Sequence, residues 1–137
     1  MTKSTIEGVM VDKLPVMRDP RGALTVVEFK NFISFPVARI FFIRDVPPGT
    51  TRGAHAHFRC KQYMICQNGR VRIVVADGAN EKAIELSQGQ GMLVEPGIFA
   101  TETYLDADSE LLVLCDRPYE KDDYIHDINE FTKYRKK

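Results

Sequence analysis

The chain has 137 residues, 44% hydrophobic and 28% charged, the size and composition of one ordinary globular domain spanning residues 1–137. Its 19 basic and 19 acidic residues cancel, so no net field recruits nucleic acid or an anionic membrane, and an anionic ligand must be held by locally placed cations. No apolar run approaches the roughly 18 residues of a membrane span, and Met1 to Glu7 lacks an apolar h-region, so a cytoplasmic location is expected. Short β-rich runs then recur between turn signals at about 8–12 residue spacing. Ile6 to Val11 is apolar at alternate positions and is set off by Pro15 and Pro20. Leu24 to Phe29 reads as a strand after Asp19-Pro20-Arg21-Gly22, followed by Arg39 to Ile43 and Ala54 to His57. Gln62 to Gln67 and Arg70 to Val75 flank Asn68-Gly69, which predicts a type I′ hairpin. Asp77-Gly78 turns the chain toward Ala83 to Leu86; Met92 to Glu95 and Glu110 to Leu114 follow, with Pro96-Gly97 between them. Only the end looks helical: Asp127 is placed to cap Ile128 to Tyr134, with Lys133 to Lys137 at the negative end of the helix. An all-β, antiparallel jelly-roll barrel with a short C-terminal helix fits this pattern.

Two of only three histidines, His55 and His57, stand at i and i+2 in Thr51-Arg52-Gly53-Ala54-His55-Ala56-His57. On a strand such residues point to the same face, so both imidazoles enter one space. That arrangement suits either metal ligation or proton transfer near neutral pH. Cys60, Cys66 and Cys115 are odd in number and show no C-x-x-C spacing. They read as reduced, buried thiols, Cys60 as a packed small side chain rather than a nucleophile.

Gly49, His55, Ala56, His57, Gln62 and Gly69 together resemble the first cupin motif, in which two histidines and a glutamate bind a metal inside the barrel. Here Gln62 replaces the glutamate, and Pro96-Gly97-Ile98-Phe99-Ala100-Thr101 carries no second-motif histidine. Two imidazoles and a carboxamide make a poor divalent-cation site, so no metal is expected. Arg52 to His57, Gln62, the Cys66 to Gly69 turn, Leu111 to Cys115, Tyr119 to Ile125, Asp19 to Leu24 and Arg39 to Phe42 resemble a narrower family over about Asp19 to Tyr134. It is the dTDP-4-keto-6-deoxyglucose 3,4-ketoisomerases, cupins that make precursors of 3-amino-3,6-dideoxyhexoses for surface glycans. The family commonly has Tyr-Tyr where this chain has Phe41-Phe42, and Trp followed by His or Arg where it has Phe99-Ala100.

The resemblance implies a nucleotide-linked 4-keto-6-deoxyhexose substrate, no cofactor, and a homodimer that exchanges N-terminal strands such as Ile6 to Val11. Moving a ketone from C4 to C3 removes the C3 proton, forms an enediol and protonates C4. The carbon acid is weaker than imidazolium by on the order of ten pKa units, more than about 10 kcal/mol, so a donor must stabilise the developing oxyanion. The reading assigns His57 as the base at C3 and proton carrier to C4. His55 shuttles oxygen-bound protons or donates to the enolate, and Gln62 orients a histidine or the sugar. Arg21, Arg39, Arg52 and Arg72 are the candidate diphosphate ligands, since guanidinium forks suit phosphate. Phe99, or Tyr63, is a candidate to stack on the base. Two alternatives stay open: a non-catalytic sugar-nucleotide-binding cupin, and a metal-dependent cupin enzyme.

Overall fold

The computed structural model describes residues 2, 3 and 6–136; Lys137 of the expected basic tail lies outside them. In chain order its strands are β1 (Thr2–Lys3), β2 (Val9–Lys13), β3 (Val16–Asp19), β4 (Gly22–Thr25), β5 (Arg39–Ile43), β6 (Thr50–His57) and β7 (Gln62–Asn68). They continue as β8 (Arg70–Ala76), β9 (Glu81–Ser87), β10 (Gln90–Val94), β11 (Phe99–Tyr104), β12 (Glu110–Cys115) and β13 (Tyr124–Ile125). Two α-helices, α1 (Phe29–Phe32) and α2 (Ile128–Arg135), and one 3-10 turn over Lys121–Asp123 complete the set among the described residues. A six-stranded sheet ordered β1-β2-β10-β7-β12-β5 faces a five-stranded sheet ordered β13-β6-β11-β8-β9, and β3 pairs β4 apart from both. This is the expected antiparallel jelly roll. No helix among the described residues is long and apolar enough to cross a membrane.

Period-2 alternation explains which side chains fill the barrel. On β8 the fully buried Val71, Ile73 and Val75 point inward, while Arg70 before them and Arg72 between Val71 and Ile73 are exposed. On β7, Met64 and Cys66 join that inner core. The intervening Tyr63 and Ile65 face outward and are covered by Leu14, Ile33 and Phe35. This double burial accounts for the unbroken apolar run on β7.

The hairpin expected at Asn68-Gly69 does not form. β7 pairs β10 and β12, whereas β8 pairs β11 and β9 in the opposite sheet. The turn is a corner between sheets, with Gly69 at φ +65°, where an added Cβ would lie 2.7 Å from Ser109 Oγ. Ser109 Oγ ties the corner by donating to the Arg70 carbonyl (2.7 Å) and accepting from Arg70 N (3.2 Å). Asn-Gly sets local turn geometry, but burial of two inner faces decides which strands pair. The β8–β9 hairpin does form, its turn held by Asp77 Oδ1 accepting from Ala79 N and Asn80 N.

One other expectation changes. The strand expected over Leu24 to Phe29 ends at Thr25, and Phe29–Phe32 is a single helical turn closed by Ile33 N to Phe29 O at 2.7 Å. Within the chain, β2 pairs residues 9–13 with residues 94–90 of β10. At the C-terminus Asp127 caps α2 as expected, accepting from Asn129 N and Glu130 N. Phe131 then anchors the helix against Ala56, Phe99 and Ile125 on the outside of the five-stranded sheet.

Candidate active site

A bulge in β6 builds the site. β6 and β11 pair His55 with Ala100, then Gly53 with Thr101 and Arg52 with Glu102, so Ala54 is the extra residue. Gly53 and Ala54 take φ of +83° and +55°; the left-handed turn at a non-glycine costs roughly 1–2 kcal/mol. Strict alternation would send Arg52 and His55 to opposite faces. The bulge resets the phase, and both line one cavity of about 300 Å³ inside the barrel. Arg39, Phe41, Gln62, Met64, Glu102 and Tyr124 share its wall. A larger cleft of about 660 Å³ runs past Phe42, Arg44, Gln67 and Glu110 on the outer edge, but no histidine, cysteine or tyrosine lines it.

The tail completes the histidine site from far away in sequence. β13 is only two residues long, yet it pairs Tyr124 with His57 and Ile125 with Ala56, bringing Asp123 against the imidazole. His57 Nδ1 meets Asp123 Oδ2 at 3.0 Å, and both side chains are buried. Asp123 is the acceptor for Arg59 N (2.7 Å) and Cys60 N (3.2 Å) as well. A carboxylate only accepts, so Nδ1 carries the proton and Nε2 holds the lone pair. That Nε2 is buried and has no hydrogen-bond partner among the described residues. Burial, the larger effect, pushes the His57 pKa below its ordinary value and favours the neutral ring; the hydrogen bond and charge of Asp123 pull the other way.

His55 Nδ1 likewise donates to a carbonyl, Gly53 O at 3.1 Å. Burial, with His57 and His126 nearby, depresses its pKa to about 4. The His55 and His57 rings meet edge to face at 5.0 Å. Tyr124 lies 4.4 Å from His57 and 4.9 Å from His55, and stacks on exposed His126 at 5.5 Å. His57 therefore sits behind Tyr124 and His55 rather than on the cavity wall.

Opposite, the Arg39 guanidinium lies 5.5 Å from the Phe41 ring and 5.8 Å from that of Tyr119, with an Nη on Cys115 Sγ at 3.5 Å. Its Nε is buried without a partner among the described residues. Cys115 Sγ accepts from Arg39 and from Gln62 Nε2 (3.7 Å), and with the Cys60 thiol beside it this holds the Cys115 thiol below its ordinary range, while Cys115 and burial push Cys60 up.

Of the residues singled out from sequence, His55, Arg39, Arg52 and Gln62 come together on the cavity, with His57 just behind. Gln62 does not orient a histidine: its Nε2 points at Cys115 Sγ (3.7 Å), and Asp123 sets the His57 tautomer instead. Arg72 is exposed on the outer face of β8, opposite Thr103 and Glu85, so it lines no part of the cavity. Arg21 stands in the β3–β4 hairpin, paired with Asp19 at 2.6 Å and 89% exposed at its side chain. Phe99 packs in the α2 cluster, and Tyr63 is buried on the outer face of β7 with its hydroxyl on Asp12; neither is free to stack on a base. Sequence reading missed Asp123, Tyr124 and Glu102. The Asp-Tyr-Ile tail was visible but unassigned, and β11 was not recognised as a strand, so the inward phase of Glu102 went unseen.

The cupin fold raises the question of a metal. His57, Cys60 and Asp123 do place ligand atoms within 4.8 Å of one another. Asp123 is already committed to three donors, however, and the Cys60 thiol, held protonated, donates to Lys61 O. His55 Nδ1 is on a carbonyl and Gln62 carries no charge. Such a donor set does not fit a divalent cation, which needs deprotonated, convergent ligands.

The family described as FdtA: WxcM-like, C-terminal, matches residues 7–136. A TDP-4-oxo-6-deoxy-alpha-D-glucose-3,4-oxoisomerase from Aneurinibacillus thermoaerophilus is 32% identical over 117 residues, covering 85% of this chain and 84% of the relative. Among solved structures, the sugar 3,4-ketoisomerase QdtA of Thermoanaerobacterium thermosaccharolyticum, in complex with TDP, superposes with a TM-score of 0.89 at 31% identity, covering 96% of this chain and 97% of that one. A 3,4-ketoisomerase from Helicobacter canadensis gives a TM-score of 0.87 at 31% identity, over 94% and 98% of the two chains. The family match spans residues 7–136 and the fold is shared end to end with solved sugar 3,4-ketoisomerases: the chain belongs to the FdtA, WxcM-like family.

Proposed function

We propose that the protein is a sugar 3,4-ketoisomerase that converts TDP-4-keto-6-deoxyglucose to the 3-keto isomer by proton transfer through an enediol. The observation that carries this reading is His57, a neutral imidazole whose Nδ1–H is held by Asp123 and whose Nε2 is left without a partner among the described residues. A base of that kind takes the C3 proton and returns it to C4 on the same face of the sugar. Tyr124, whose ring lies 4.4 Å from that of His57, lines the cavity beside it. Arg39, on the cavity wall, places a permanent cation near the developing oxyanion, the kind of stabilisation that offsets a carbon acid much weaker than imidazolium. Arg52 is the cavity's other guanidinium and the candidate for the diphosphate.

The named relatives support the substrate. One is a TDP-4-oxo-6-deoxyglucose oxoisomerase, and a histidine-to-asparagine mutant of QdtA was crystallised with TDP-4-keto-6-deoxyglucose. We place the enzyme in the cytoplasm, consistent with its three free cysteines, as a homodimer on the route to amino-deoxysugars of surface glycans. Incubating the protein with TDP-4-keto-6-deoxyglucose in deuterated water and following the sugar by NMR tests the reading. Growth of 3-keto sugar signals is expected; binding without turnover would leave only a sugar-nucleotide-binding cupin.

A further inference from the structure

The isomerisation moves two kinds of proton, and His57 accounts for only one. The hydrogen on carbon goes from C3 to C4; the hydrogen on oxygen goes from O3 to O4. Neutral His55 is badly placed for the second task, because its Nδ1–H is spent on the Gly53 carbonyl and its Nε2 is a lone pair that accepts but does not donate. The arginines hold their protons too tightly to exchange them. Phe41, Ile43, Met64 and Val113 supply apolar wall.

Glu102 is the only acidic residue lining the cavity among the described residues, and it is just 5% exposed. Strand alternation on β11 turns it inward between Ala100 and Tyr104. Gly53, across the bulge, makes the room: a Cβ there would stand 2.9 Å from Glu102 Oε2. Tyr104 donates to Oε1 at 3.0 Å, and no cation lies within ion-pairing distance among the described residues. The charged and titratable groups around it are Tyr104 on its own strand, Arg52 and His55 on β6, Tyr124 on β13 and Arg39 on β5. Burial raises its pKa, with the Tyr104 bond and the Arg52 charge pulling the other way, so the proton-bearing form is favoured beyond the ordinary carboxylate range.

We propose that Glu102 is the acid–base residue for the oxygen-borne protons. This rests on the ketoisomerase reading above. As His57 removes the C3 proton, the C3–H electrons form the C3=C4 bond, and the C4 carbonyl oxygen takes the proton from Glu102, giving the enediol and a carboxylate. O3–H then returns a proton to Glu102, its electrons form the C3 carbonyl, and the C3=C4 pair takes the proton from His57 at C4. Both residues end as they began, and nothing is oxidised or reduced overall.

Steady-state kinetics of the wild type, Glu102→Gln and Tyr104→Phe against pH with TDP-4-keto-6-deoxyglucose test this. Glu102→Gln keeps the shape and the acceptor for Tyr104. Its kcat should fall about a hundredfold with KM within about threefold of wild type. The alkaline limb that reports deprotonation of Glu102 should be missing from its kcat profile. Tyr104→Phe keeps the acid but removes a bond that favours the carboxylate, so its alkaline limb should move to higher pH even if Glu102→Gln folds poorly. Wild-type kcat in Glu102→Gln, or an alkaline limb that does not move in Tyr104→Phe, would overturn the role of Glu102 while leaving the ketoisomerase reading standing. A wild-type protein that fails to turn over the sugar would sink both.

Discussion

His57 takes its chemistry from what its two nitrogens meet. Asp123 holds one; the other is buried without a hydrogen-bond partner among the described residues, which fits the proposed role of base. His57→Asn has no group titrating near neutral pH and should lose at least about a hundredfold in kcat/KM, the lower end for a general base. The structure buries the His57 ring on a buried carboxylate, so the same variant should also cost about 1–3 kcal/mol of stability in urea unfolding. Rate loss with no drop in substrate affinity is the expected signature; wild-type turnover would unseat the assignment. His55 makes a separate prediction about pH. Its folded pKa is about 4 against an ordinary 6.5, so between those values the unfolded chain binds a proton that the folded chain does not. Stability is therefore fully present above about pH 6.5 and falls as pH drops toward about 4. The full difference is worth about 3 kcal/mol at about 1.36 kcal/mol per tenfold in proton affinity. His55→Asn should flatten the dependence of the urea midpoint on pH over that window; an unchanged slope would show that the site does not exclude the charged imidazole.

At the scale of elements, the bulge in β6 is the feature on which the site depends. It places Arg52 and His55 on one wall and leaves Gly53 in a conformation that an L side chain adopts only under strain. Gly53→Ala combines that strain with a clash on Glu102, and should destabilise by about 2 kcal/mol. A thermal melt equal to wild type would mean that the bulge relaxes at no cost. The strands most legible from sequence were those with a strong period or clear turn chemistry: β5 over Arg39–Ile43, β7, β8 and the Asp127-capped helix. β11 was not legible, because Phe-Ala-Thr-Glu-Thr-Tyr puts an acid where the inner apolar position belongs. The burial of that acid is a tertiary fact, set by the glycine facing it.

For the molecule as a whole, the β3–β4 hairpin and β5 leave Val16, Met17, Leu24, Ile40 and Phe42 exposed by 41–65%. Side chains of this kind are what a second copy would cover, and a homodimer is expected. Sedimentation at micromolar concentration should give twice the chain mass. A monomer would count against it, and would leave those side chains as ordinary surface.

The residues by themselves determined the class of fold, the placing of His55 and His57 on one face of a strand, and the family resemblance that the comparisons show. These depend on alternation, turn residues and side-chain chemistry, all readable over a few positions. Only the tertiary structure decided that Asp123, 66 residues from His57, is its partner, and that Asn68-Gly69 joins two sheets. It also decided that Arg72 and Phe99 lie off the site while Glu102 lies in it. Each of those outcomes is set by which buried surfaces meet across the barrel, and strand partners distant in sequence leave no periodic trace in the segments they join.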